Sequence, residues 1–122
     1  MVSEMPEFVD GGQPKNFLRP CLLLLLREAP AHGYDLLERL REFAFERDAG
    51  GIYRTLRALE HEGLVTSSWE ASFAGPDRRT YALTQSGERG LDLWARTLDE
   101  THRMLGGYLH RYAASRPVLE EA

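Results

Sequence analysis

Ile52-Tyr53-Arg54-Thr55-Leu56-Arg57-Ala58-Leu59-Glu60-His61-Glu62-Gly63-Leu64-Val65-Thr66-Ser67-Ser68-Trp69 is the stretch that decides the fold. Ile52, Leu56 and Leu59 recur at helical spacing and predict a buried stripe, while Arg54 and Arg57 fall on the opposite side with Tyr53 alongside. Gly63 ends this helix. From Leu64 to Ser72 the texture changes to β-branched, aromatic and hydroxyl residues, which predict a strand. A second extended run covers Arg79 to Leu83, and Phe73, Ala74, Gly75, Pro76 and Asp77 form a turn between the two. A helix followed at once by a β-hairpin is the core of a winged helix-turn-helix, in which the helix enters the major groove of duplex DNA and the hairpin is the wing.

Upstream, Leu22-Leu23-Leu24-Leu25-Leu26 is the only strongly apolar run. It is bracketed by Arg19, Arg27 and Glu28 and is far shorter than the roughly 20 residues that cross a bilayer, so it reads as a buried helix. Asn16 is the expected cap, Pro20 is tolerated in the first turn, and the helix ends at Pro30. A second amphipathic helix of about ten residues begins at Gly33, with Tyr34, Leu36, Leu37, Leu40 and Phe43 on one face. A polar break at Glu46 to Asp48 precedes the helix quoted above, and Asp48 is its expected cap. Downstream, Thr84, with Gly87 and Glu88 in the first turn, opens a long helix carrying Leu91, Trp94, Leu98, Leu105 and Leu109, which is expected to fray after Tyr112. The fold class is therefore mainly α with a small β-hairpin. The expected divisions are an N-terminal arm over 1–14, a winged-helix domain over 15–84, a dimerisation helix over 85–114 and a tail over 115–122.

The 122 residues carry a net charge of −4, with 43% hydrophobic and 28% charged residues, which fits one soluble globular domain and argues against indiscriminate nucleic-acid binding. Any grip on DNA has to come from a local arrangement of arginines. Gly50 and Gly51 at the start of the third helix let backbone N–H groups approach a phosphate, and Arg54 and Arg57 can grip guanine edges or phosphates. Arg78 and Arg79 lie at the base of the wing. Adjacent strand residues face opposite ways, so at most one of the two reaches a given phosphate row. The acidic N-terminus lacks the features of a secretory signal, implying a cytoplasmic location without a membrane span. The single Cys21 is expected to be an inert core filler.

Four blocks resemble the PadR family of transcriptional regulators in order and spacing. They are His32-Gly33-Tyr34-Asp35-Leu36-Leu37, then Gly51 to Glu60, then Glu62-Gly63-Leu64-Val65, and finally Gly75-Pro76-Asp77-Arg78-Arg79-Thr80-Tyr81-Ala82-Leu83-Thr84. Pro14-Lys15-Asn16-Phe17-Leu18 and Leu91-Asp92-Leu93-Trp94-Ala95 are similar to a subgroup of polyhydroxybutyrate-responsive repressors. The resemblance implies a homodimer held by the first and last helices that represses genes from a palindromic operator, often releasing it on binding a small molecule. It places DNA contacts on Tyr34, Tyr53, Arg54, Arg57, Arg78 and Arg79. Relatives place Ser or Thr near the start of the recognition helix. Here Asp48, Ala49, Gly50 and Gly51 stand instead, so backbone contacts replace side-chain ones.

The stripe Leu91, Trp94, Leu98 and Leu105 exceeds what a lone winged helix needs to cover and is expected to supply the dimer interface. Trp94 is also the expected contact of a small hydrophobic or aromatic effector between the first and last helices. An enzyme is not expected, since there is no nucleophile motif, phosphate-cradling loop or zinc-ligand spacing, and no cofactor is implied. His102 and His110 share a helix without a third ligand. The competing reading is a winged-helix ligand-binding or interaction module that does not bind DNA, and salt-dependent binding to duplex DNA separates the two.

Overall fold

In the computed structural model, which describes residues 13–43, 49–71, 75, 78–115 and 117, the leucine run becomes the centre of the molecule. Helix α1 (Leu18–Glu28) buries Leu18, Cys21, Leu22, Leu23, Leu25 and Leu26, and of the consecutive leucines only Leu24 reaches the surface. Each leucine buried in this way contributes about 1.5–3 kcal/mol relative to exposure. Asn16 does not cap the helix through its side chain, as the sequence led us to expect. It takes φ 63°, and Phe17 fills the N-cap position without a side-chain bond. Asparagine tolerates this left-handed conformation better than most residues, so the chain enters α1 by backbone shape rather than by a cap. At the other end Ala29 is extended, as a residue before proline prefers.

Helix α2 (Gly33–Arg39) runs into a 3-10 turn (Leu40–Phe43), and Leu36 and Leu40 are buried against α1. The polar break at Glu46 to Asp48 and the expected Asp48 cap lie outside the described residues. Helix α3 (Ala49–His61) buries Ile52, Leu56 and Leu59, the stripe read from the sequence. It ends with Gly63 at φ 79°, with Leu64 N–H donating to the Leu59 carbonyl at 2.9 Å and Gly63 N–H to the Glu60 carbonyl at 3.0 Å. This paired closure needs a residue in the left-handed region, which glycine supplies without a steric penalty.

The wing strands are β2 (Val65–Glu70) and β3 (Arg78–Leu83), but the sheet has three strands rather than the expected two. A two-residue strand, β1 (Ala31–His32), pairs with the free edge of β3 through Ala31 opposite Tyr81 and His32 opposite Thr80. It escapes the sequence because two residues between Pro30 and Gly33 show no alternation. Of the turn read between the strands, Gly75 alone is described.

Helix α4 (Gln85–Ala114) starts at a junction built around Thr84. The Thr84 hydroxyl accepts from Gly87 N–H at 3.0 Å and donates to the Gly63 carbonyl at 2.6 Å, while Thr84 N–H donates to the Leu64 carbonyl at 3.1 Å. The end of α3, the base of the wing and the start of α4 thus share one set of hydrogen bonds. The helix continues two residues past Tyr112, through Gly106 and Gly107. Leu91 is a correction to the expected dimer stripe. At 6% exposure it closes the core of its own chain, and Arg27 of α1 pairs with Asp92 beside it at 3.0 Å. No described helix is long and apolar enough to cross a membrane.

Candidate nucleic-acid interface

With Ile52, Leu56 and Leu59 committed to the core, α3 turns Gly50, Arg54 and Arg57 outward, and Gly51 and Tyr53 flank them half-buried. Gly50 and Gly51 fall in the first turn of α3. Among the described residues, the ion pairs engage Arg19, Arg27, Arg39, Arg41, Arg79 and Arg103, and none involves Arg54, Arg57 or Arg78. The guanidinium groups of those three are open to solvent and to an anion.

The register of the wing decides what its arginines face. Val65 lies opposite Leu83, Ser67 opposite Tyr81 and Trp69 opposite Arg79, and all six share one face by the two-residue period. That face starts in the core at Val65, passes the buried Tyr81 and ends at Trp69, which is 67% exposed. Burial pushes the Tyr81 phenol up from its ordinary range, and the neighbouring Arg79 partly opposes this. Arg79 therefore points toward α3. Its Nε donates to Ser67 Oγ at 2.9 Å and one terminal nitrogen to Glu60 Oε1 at 3.5 Å, while Ser67 Oγ donates to Glu60 Oε2 at 2.8 Å. Arg78 belongs to the other face and is exposed.

Between α2, α3 and the wing lies a cleft of about 490 Å³ that brings together Tyr34, Tyr53, Arg57, Trp69, Arg78 and Arg79, with His32 at its edge. Tyr34, at 68% exposure, stands on its rim. Gly33 sits at the start of α2 because a side chain there would stand 2.8 Å from the Tyr53 hydroxyl, in the space the ring occupies. His32 Nδ1 lies 3.1 Å from the Thr80 hydroxyl across the β1–β3 pair.

The structure thus unites five of the expected DNA contacts, Tyr34, Tyr53, Arg57, Arg78 and Arg79. Arg54 lies apart from them. It lines a separate cleft of about 320 Å³ with Asn16, Leu18, Arg19, Gly51, Thr55 and Ala58, on the side of α3 toward the start of α1. The two helix arginines therefore flank a ridge rather than share one cleft. Trp69, His32 and the Glu60–Ser67 pair were not singled out from the sequence. The two-residue period from Val65 marks Trp69 and Ser67 as partners of one face, and that signal was available. Trp94 is half-buried against the core. Cys21 is buried and its thiol is pushed up to about 12 by loss of solvation, which leaves it inert. Among the described residues no cluster of His, Cys, Asp or Glu is arranged to hold a metal.

Comparison with known proteins gives a family match over residues 22–93 to the transcriptional regulator PadR-like family. The chain is 35% identical over 80 residues to the transcriptional regulator Rv3488 of Mycobacterium tuberculosis, covering 65% of this chain and 74% of that protein. Coverage of a second relative from the same organism, Rv1176c, is 40% of its length. Among solved structures, TM0937, described as a conserved protein of unknown function and a potential transcriptional factor, superposes with a TM-score of 0.73 at 34% identity, over 85% of this chain and 96% of its own. Bacillus subtilis PadR, solved in complex with operator DNA, superposes with a TM-score of 0.59 at 28% identity, over 64% of this chain and 46% of its own. These matches support the family and not the polyhydroxybutyrate-responsive subgroup.

Proposed function

The chain belongs to the PadR-like family of transcriptional regulators, and on that premise we propose that it acts as an effector-responsive repressor, a homodimer that occupies a palindromic operator. The observation that carries the DNA contact is the set of exposed guanidinium groups outside the ion pairs of the described residues, Arg54 and Arg57 on either side of the α3 ridge and Arg78 on the wing, in a protein whose net charge is −4. Arg57, Tyr34 and Tyr53 line the same cleft as Arg78. A duplex with α3 in its major groove runs a phosphodiester strand through that cleft on the way to the wing. Arg54, on the other side of the ridge, faces base edges or the strand beyond.

The far half of α4 supports a second copy as partner. Leu105, Tyr108, Leu109 and Tyr112 are exposed at spacings of three and four residues, an apolar stripe that a solitary surface helix does not carry. Leu98, half-buried, continues it toward Trp94. Trp94, partly covered by the core and partly open, is the platform for a small hydrophobic or aromatic effector. The arm expected over 1–14 and the tail expected over 115–122 lie mostly outside the described residues, and the cytoplasm is the proposed place of action.

The test is selection of bound sequences from a random duplex pool, followed by titration of the selected and scrambled duplexes at several salt concentrations. A two-fold symmetric site whose affinity falls steeply with salt supports the proposal. Equal and salt-insensitive binding of both duplexes returns the chain to the interaction-module reading.

A further inference from the structure

Resting on the DNA-binding reading above, we infer that Glu60 is a positioning residue that holds Arg79 out of the phosphate row and fixes the wing against the recognition helix, leaving Arg57 and Arg78 to face the phosphates in the cleft. Glu60 is a carboxylate at the end of α3, beside a surface that meets a polyanion. Left uncompensated it would repel the phosphates, and the structure compensates it from inside the protein. Arg79 reaches Glu60 at 3.5 Å and Ser67 at 2.9 Å, and Ser67 closes the triangle onto Glu60 at 2.8 Å.

The guanidinium also has aromatic neighbours. It lies 5.5 Å from the Trp69 ring centroid and 6.0 Å from that of Tyr81, both within cation–π range. A planar guanidinium can bind a carboxylate along its edge while aromatic rings cover its faces, which a lysine ammonium cannot reproduce. Turning Arg79 toward a phosphate would break the Ser67 bond, uncover Trp69 and leave Glu60 unneutralised next to DNA. Arg79 is therefore a strut from α3 to the wing. The chain from Glu60 through Arg79 to Trp69 sets the angle between the two DNA-contacting elements and holds the exposed indole in place.

The experiment measures the salt dependence of binding for the selected and scrambled duplexes with the full-length parent, Arg78→Ala, Arg79→Ala, Glu60→Gln, the double variant Glu60→Gln/Arg79→Ala, and Glu62→Gln as a charge control paired to Arg19 instead. Arg78→Ala is expected to lower the salt slope by about one per subunit, and Arg79→Ala is expected to leave it unchanged. Glu60→Gln frees Arg79 and raises the slope by about one per subunit, hence about two for the proposed dimer, seen as roughly a 12-fold greater loss of affinity between 50 and 200 mM salt, with scrambled duplex bound more tightly. The double variant returns the slope to that of the parent. A fall in slope for Arg79→Ala alone would overturn the inference, because Arg79 would then be a phosphate ligand in the parent. A gain that persists in the double variant, or appears equally in Glu62→Gln, would also overturn it, because removal of any negative charge would explain it.

A readout without DNA separates this inference from the DNA-binding reading. In a Trp94→Phe background, where Trp69 is the remaining indole, Glu60→Gln and Arg79→Ala should each raise acrylamide quenching of Trp69 with unchanged far-ultraviolet circular dichroism. Unchanged quenching in both would sink the proposed tie even if DNA binding stands. Raised quenching in a protein that ignores every duplex would keep the tie and remove the DNA-binding reading instead.

Discussion

Two glycines three residues apart in α4 should respond to alanine with opposite signs. A Cβ on Gly87 would overlap the Leu64 carbonyl oxygen and stand 2.6 Å from Leu83 Cδ1. That carbonyl is backbone and is fixed by the Thr84 N–H, so it cannot swing aside as a side chain would. The first turn of α4 must lift instead. Overpacking of this kind costs about 1–3 kcal/mol, and weakening the Thr84 bond adds about 1 kcal/mol. The higher helix propensity of alanine returns somewhat less than 1 kcal/mol, so the net loss for Gly87→Ala is about 2 kcal/mol. At roughly 4 °C per kcal/mol for a chain of this size, the melting temperature falls by about 8 °C. At Gly90 the same added atom meets only Leu64 Cδ2, at an ordinary 3.7 Å. Gly90→Ala then keeps the propensity gain of about 0.5–1 kcal/mol and melts roughly 2–4 °C higher. Thermal and urea denaturation followed by circular dichroism measure both variants. A Gly87→Ala protein as stable as the parent, or a Gly90→Ala protein destabilised alongside it, would refute the reasoning.

Thr84→Ala removes the cap of α4 and the bond to the Gly63 carbonyl together, and should cost about 1–2 kcal/mol in the same denaturation assay. Cys21 should resist iodoacetamide in the folded protein at mildly alkaline pH and react once urea unfolds the chain. Because its folded pKa is raised to about 12, its contribution to stability is complete below the ionisation of an unfolded thiol and is lost as pH rises from there toward about 12. Leu109→Glu, at an exposed position of the α4 stripe, should convert the proposed dimer to a monomer in sedimentation while leaving the circular dichroism spectrum intact.

Elements built on long apolar periods were legible in the sequence. Ile52, Leu56 and Leu59 announced α3 and its buried side, Gly63 marked its end, and Thr84 marked the start of α4, because each of these signals is local. What depends on tertiary pairing was not legible. β1 forms only because β3 offers an edge beside Pro30, and Asn16 turns the chain by its dihedral angle rather than by its side chain. Leu91 carries the same spacing signal as Leu98 and Leu105, and only the packing of α4 on α1 assigns it to the core. At the site, residue types drew attention to Arg54, Arg57, Arg78 and Arg79. The division of labour among them was hidden, since whether an arginine faces a phosphate or a glutamate of its own chain depends on strand register and on Glu60, which sits on a different element.

The two residues of β1 have a mechanical meaning out of proportion to their length. They stitch the start of α2 to the wing through Ala31 and His32, while Thr84 rivets the wing and the end of α3 to α4. The surface proposed to face DNA is thereby a stiff stamp with α4 as its handle. In the proposed effector-responsive dimer, a signal received along that handle would change where the stamp is held rather than reshape it. In a pair of such stamps the adjustable quantity is the gap and tilt between the two impressions. An effector would then abolish recognition of a correctly spaced double site while sparing the much weaker hold of one copy on one half-site.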